Sequence, residues 1–184
     1  MHKQPEVTEK TRQTFINVFC QLYAEKPIEK ISVQEITRKA DYNRSTFYQY
    51  FSDIYELRNE IENDVLDFIS EELSASDTQP YDEQAVLRNA LKLFNEKEVY
   101  LNALMGDYGS VRFQKRLKER MPLGTGMAQQ LSESSYFPYL LEFHVSTLLS
   151  MFHLWQSRGR DLTADQLFEL IYRLYSTGLQ SFTQ

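Results

Sequence analysis

Ile31-Ser-Val-Gln-Glu-Ile-Thr-Arg-Lys-Ala-Asp-Tyr-Asn-Arg-Ser-Thr-Phe-Tyr-Gln-Tyr-Phe51 is the most informative stretch of this 184-residue chain. Ser32 and Glu35 have the S-x-x-E spacing of a capping box, which satisfies the free N–H groups of a helix start. A short helix is expected from there to about Ala40. Asp41-Tyr42 reads as a tight turn, and Asn43 as the cap of a third helix over residues 44–51. Two short helices about one turn are helix-turn-helix geometry. The third helix would display Asn43, Arg44, Ser45, Thr46, Tyr48, Gln49 and Tyr50, which all carry groups able to bond bases or phosphates. Phe47 and Phe51, four residues apart, would point inward and hold it. A short helix with an aromatic inner edge and a polar outer face has the shape required to enter a major groove. The residues alone also allow an ordinary amphipathic helix with a solvated face.

On either side the pattern is helical. Phe15, Phe19, Leu22 and Tyr23 share one face of a helix over Glu9–Glu25, which Pro27 ends. Asp53-x-x-Glu56 opens a long helix with Ile54, Leu57, Ile61, Val65, Phe68 and Ile69 along one side. Ser74 to Tyr81 is expected to be a loop. Helix resumes from Asp82 to about Met105, with Leu87, Leu91, Phe94 and Leu101 aligned, and Gly106 and Gly109 break it. A further piece runs over Phe113, Leu117 and Met121 until Gly124 and Gly126. Pro138 and Gly159 bracket a long helix, and Thr163-x-x-Gln166 caps the last one. No strand pattern, repeat or low-complexity tract is present. The expected fold is all-α, with eight or nine helices. A helix-turn-helix domain would occupy residues 1–57 and a helical effector-binding and dimerisation bundle residues 58–184.

The segment Ile31 to Phe51, with Leu57 beyond it, resembles the DNA-binding domain of TetR-family transcriptional regulators. The S-T-F-Y-x-Y-F run after an A-x-x-x-R turn is specific, and Leu22 to Lys26 resembles the end of that family's first helix. The resemblance covers about residues 8–60. More loosely, Trp155-x-x-x-Gly159 followed by Leu162-Thr163 is similar to a compact subclass common in Gram-positive bacteria. The resemblance implies that Ser32 and Thr46 bond phosphates through their hydroxyls, and Tyr48 through its phenol. It places Gln34, Arg44 and Ser45 near base edges, with Arg44 the candidate for a bidentate guanine contact. Three positions depart from the family pattern. Asp41 stands where Gly is frequent, Gln49 where Arg or Lys is frequent, and Ile54 where many members have Lys. Two cations are therefore missing from the phosphate footprint, which predicts weaker non-specific affinity and a shallower salt dependence.

Charge agrees with selective rather than indiscriminate binding. The net charge is −6. Residues 1–60 carry nine Lys/Arg against nine Asp/Glu, and residues 61–184 carry eleven against seventeen, so the later part holds the whole excess. The single cysteine, Cys20, excludes an intrachain disulfide or a Cys-cluster metal site and reads as a packed thiol. The start of the chain lacks the apolar core of a signal peptide, and Phe143–Trp155 is too short to span a bilayer. A reducing, cytoplasmic, soluble setting is expected. His144 and His153, nine apart at about 100° per residue, fall on opposite helix faces and cannot share a metal. There is no nucleophile–base pair, no Gly-rich phosphate loop and no H-E-x-x-H, so neither an enzyme nor a metal or cofactor is expected.

The last two helices carry apolar stripes: Leu141, Val145, Leu148, Phe152 and Trp155 on one, Leu167, Leu170, Ile171, Leu174 and Gly178 on the other. They suit a two-fold four-helix bundle between protomers, or burial within one subunit. Phe94, Tyr100, Leu104, Met105, Tyr108, Phe113, Met121 and Tyr139 are candidates to line an effector pocket, or plain core. The resulting expectation is a homodimeric repressor on a palindromic double-stranded DNA operator, released by a small-molecule effector. The alternative is a co-regulator of the same fold that acts mainly through a protein partner.

Overall fold

The computed structural model describes residues 5–75, 83–120 and 134–179, and every regular element among them is helical. The elements are α1 (Pro5–Glu25), a 3-10 turn (Ile28–Lys30), α2 (Val33–Lys39), α3 (Arg44–Phe47), α4 (Ile54–Ala75), α5 (Glu83–Met105), α6 (Val111–Arg120), α7 (Phe137–Ser157) and α8 (Ala164–Leu179). The expected loop begins later than Ser74, because α4 continues through Ala75. The rest of that loop, Met121, Gly124 and Gly126 lie outside the described residues. No helix of the described residues is long and apolar enough to cross a membrane. None of their His, Cys, Asp and Glu side chains form a group that could hold a metal ion.

The chain forms two compact units. The first is Met1–Val65 with Val99–Ser110, and the second is Leu66–Glu98 with Val111–Gln184. In the first, α1 packs on α2 and α2 on α3. The predicted face of α1 is core: Phe15, Phe19, Leu22 and Tyr23 are buried, as are Ile36, Phe47, Phe51, Leu57 and Ile61 of the same unit. Fully burying a side chain of this size contributes about 1.5–3 kcal/mol. The rings of Phe15 and Phe47 meet edge-on at 5.4 Å, and Phe47 lies 5.4 Å from Phe51. Cys20 is buried in this core, which pushes its thiol up to about 12 and keeps it protonated and inert. Tyr100 of α5 joins the unit by accepting a hydrogen bond from Gln13 Nε2 at 2.9 Å. Gly109 is obligatory in the turn after α5, since a Cβ there would lie 2.2 Å from the Leu104 carbonyl oxygen.

In the second unit α7 packs on α6 and on α8. Its centre is aromatic: Phe94 lies 5.4 Å from Trp155, 6.0 Å from Phe168 and 6.1 Å from Phe152. The Trp155-x-x-x-Gly159 spacing has a local cause. Gly159 N–H donates to Gln156 O and Arg160 N–H to Trp155 O, the paired bonds of a Schellman motif. Gly159 (φ 71°) and Arg160 (φ 60°) are both left-handed. The Trp155 indole N–H donates to Leu162 O at 2.8 Å, and the Arg160 guanidinium lies 5.3 Å from the ring centroid. Thr163 and Gln166 then make a reciprocal capping box for α8.

Candidate nucleic-acid interface

Two backbone devices aim the surface around α2 and α3. Ser32 caps α2 by accepting the Glu35 N–H at 3.2 Å. Only this half of the predicted box forms, because the Glu35 carboxylate takes Lys26 Nζ at 2.7 Å and ties α2 to the end of α1. The turn is a second Schellman motif: Tyr42 N–H donates to Thr37 O and Asp41 N–H to Arg38 O, with Asp41 at φ 58°. Asp41 thus occupies the left-handed position that favours glycine.

The third helix differs from its expected extent. Helix α3 covers Arg44–Phe47, and residues 48–50 form turns. Tyr48 N–H still reaches Arg44 O, but Gln49 and Tyr50 bond only three residues back, to Thr46 and Phe47. Such tightening satisfies the last carbonyls of a short helix that has little to propagate it. The inward register survives, since Phe51 N–H returns to Phe47 O and both rings are buried. Asn43 occupies the cap position without a side-chain cap bond.

Around these anchors Ser32, Gln34, Asn43, Arg44, Ser45, Tyr48 and Gln49 are exposed, Tyr48 to 56%. Thr46 and Tyr50 are half-buried, and Tyr50 leans on Phe15 with ring centroids 6.1 Å apart. The Arg44 guanidinium donates to Gln34 Oε1 at 2.6 Å, a link between α3 and α2 that no local spacing announces. Arg38 and Lys39 are exposed in the last turn of α2, two cations that the motif-based reading left out. The start of α4 is acidic. Asp53 Oδ1 accepts the N–H groups of Tyr55 and Glu56 at 2.8 Å each, and the Glu56 carboxylate accepts the Ser52 N–H. Hydrogen bonds from Ser52 hold Glu56 below its ordinary carboxylate range, so it stays charged.

The other candidate residues are divided between the two units. Tyr100, Leu104, Met105 and Tyr108 belong to the first unit, and Phe94, Phe113 and Tyr139 to the second. Leu104, Phe94 and Phe113 are buried, Tyr108 is exposed, and Tyr139 is 76% exposed; Met121 is outside the described residues. Of the two apolar stripes, Val145, Phe152, Trp155, Leu167 and Ile171 are buried within the second unit, while Leu141 and Leu148 are half-buried. Leu170 and Leu174 are exposed on α8, and Gly178 lies within its last turn. The exposed apolar side chains of α7 are Tyr139, Phe143 and Leu154, on a face displaced from the buried stripe.

Residues 16–61 match the family model of bacterial regulatory proteins of the tetR family. No curated protein matches the chain. Solved structures of similar fold include a TetR transcriptional regulator from Streptococcus agalactiae 2603V (TM-score 0.61, 20% identity, covering 92% of this chain and 95% of that one). A TetR-family transcription regulator from Marinobacter aquaeolei VT8 is comparable (TM-score 0.62, 18% identity, 92% and 95% covered). So is a dihydroxyacetone kinase operon activator, DhaS (TM-score 0.59, 18% identity, 92% and 96% covered). The N-terminal helices thus carry the tetR-family signature, and the helical fold is shared along most of the chain.

Proposed function

We propose, from a tetR-family domain at residues 16–61, that this chain is a sequence-specific DNA-binding transcriptional regulator. The observation that carries the reading is the exposed polar surface of α2 and α3, held on buried Phe47 and Phe51. Residues 1–57 would read DNA, and residues 58–184 would dimerise and bind an effector. Ser32, Thr46 and Tyr48 would position the domain on phosphates, while Gln34, Arg44 and Ser45 face base edges. Asn43, Gln49 and Tyr50 flank that contact.

The working unit is a homodimer on a palindromic operator, with the two α3 helices in successive major grooves about 34 Å apart. The exposure of Tyr139, Phe143, Leu154, Leu170 and Leu174, apolar side chains of the last two helices, supports this. Binding would block a promoter. A small-molecule effector would release the protein by favouring a state whose two reading heads no longer fit the operator, which requires different affinity for the two states.

The test is selection of genomic fragments by the purified protein at about 100 mM salt, where phosphate contacts still contribute. Enrichment of a short inverted repeat supports the reading. Failure of a folded dimer to enrich any sequence refutes it. The second reading, a co-regulator acting mainly through a protein partner, is favoured by one feature: Gln49 and Ile54 stand in place of cations, beside the carboxylates of Asp53 and Glu56. One structure of similar fold is described as an operon activator, so the sign of regulation needs its own measurement. Transcription from the bound promoter, with and without the protein, would give the sign.

A further inference from the structure

Gln34 and Arg44 stand on different helices, ten residues apart, yet the Arg44 Nη2 donates to Gln34 Oε1 at 2.6 Å. Both side chains are exposed, so no core packing fixes either one, and each limits the freedom of the other. Resting on the DNA-binding reading above, we propose that Gln34 and Arg44 act as one composite base reader. It recognises two neighbouring bases that present carbonyl acceptors in the major groove, guanine O6 or thymine O4.

The chemistry of the pair selects those bases. Arg44 spends one of its five N–H donors on Gln34 and keeps a fork for the guanine O6 and N7 acceptors. An unengaged glutamine suits adenine, accepting from N6 while donating to N7. Here its oxygen already accepts a charge-assisted bond, which is stronger than a neutral one. Gln34 therefore meets the DNA chiefly through its amide N–H groups. The adjacent guanidinium also repels the amino groups of adenine and cytosine. The base beside the Arg44 guanine is then guanine or thymine, whose O6 and O4 accept. Gln34 has a second role as a positioning residue, since its oxygen presents the guanidinium in one orientation before DNA arrives.

The test is selection from a randomised 20-base-pair duplex library by the full-length wild type and by Gln34→Ala, Gln34→Glu and Arg44→Ala. Unchanged thermal unfolding is the folding control, since both side chains lie on the surface. The wild type is expected to select guanine with guanine or thymine beside it. One bidentate contact discriminates by about 5- to 150-fold, so Gln34→Ala should reduce the guanine preference about 5-fold or more while also erasing the neighbouring one. Gln34→Glu, which still accepts from Arg44, should keep the guanine preference and lose only the acceptor preference beside it. Arg44→Ala should loosen both positions. Gln34→Ala and Arg44→Ala each changing one position alone would overturn the composite reader. So would a wild-type preference for adenine or cytosine at the Gln34 position. A folded wild type that selects nothing is a different result: it overturns the DNA-binding reading on which the pair depends.

Discussion

Asp41 is where a single side chain meets a backbone demand, because φ 58° costs most L-residues about 1–2 kcal/mol. Asp bears the strain better than a β-branched residue does. Asp41→Val should therefore lower stability by roughly 1–2 kcal/mol, while Asp41→Gly stays close to the parent; denaturant midpoints at constant slope would measure both. Phosphate and base contacts separate at the same scale. Tyr48→Phe and Thr46→Ala should weaken binding to all duplexes by similar factors, read by titration against operator and scrambled DNA. His144 gives a pH prediction. Burial lowers it to about 4, from an ordinary 6.5. Between those values the unfolded chain takes up a proton that the folded one refuses, so stability falls as pH falls. The full loss is about 3 kcal/mol, most of it reached by about pH 4. His144→Leu should flatten the unfolding free energy between about pH 6.5 and 5, above the range where most carboxylates titrate.

Elements here are bounded by capping chemistry more than by propensity. Ser32, Asp53 and Thr163 each accept an N–H at the start of α2, α4 or α8, and the turns after α2 and α7 close with Schellman bonds. Helix α3 has four residues, and its position depends on Phe47 packing against Phe15. From the end of α3 into the first turn of α4, Gln49 and Ile54 lack positive charge, and Asp53 and Glu56 add negative charge. Gln49→Lys and Ile54→Lys should each steepen the slope of log K against log salt by about 0.9, if the new cation reaches a phosphate. Non-specific binding measured from about 50 to 200 mM salt checks this, and an unchanged slope would place these positions off the DNA backbone.

At the scale of the whole molecule, the proposed dimer surface is the exposed apolar part of α7 and α8. Phe143 is 56% and Leu174 53% exposed, whereas Leu167 is 3% exposed. Phe143→Glu with Leu174→Glu should yield folded monomers by sedimentation velocity. Their operator affinity should fall by about 100-fold or more, because the second half-site is no longer bound intramolecularly. Leu167→Glu should instead unfold the protein, since it buries an unpaired charge. A folded dimer from the double variant would exclude this face as the interface.

The all-helical class, the helix-turn-helix and its turn at Asp41 were legible along the chain because caps, left-handed turns and buried-face spacing act over a few residues. The Phe15, Phe19, Leu22 and Tyr23 face was legible for the same reason, and these side chains are indeed the core of the first unit. Three features needed the folded molecule. The shortening of α3 depends on how far a four-residue helix can propagate against its packing partners. The Gln34–Arg44 bond joins side chains on two helices whose relative placement is set by Phe47 and by the turn between them. The destination of each apolar stripe depends on its neighbours in space. Spacing groups Val145, Phe152 and Trp155 together, but only the packing of Phe94 against Phe152 and Trp155 shows that this face is filled from within. Periodicity reports which residues share a face, whereas contacts distant in the chain settle what covers it.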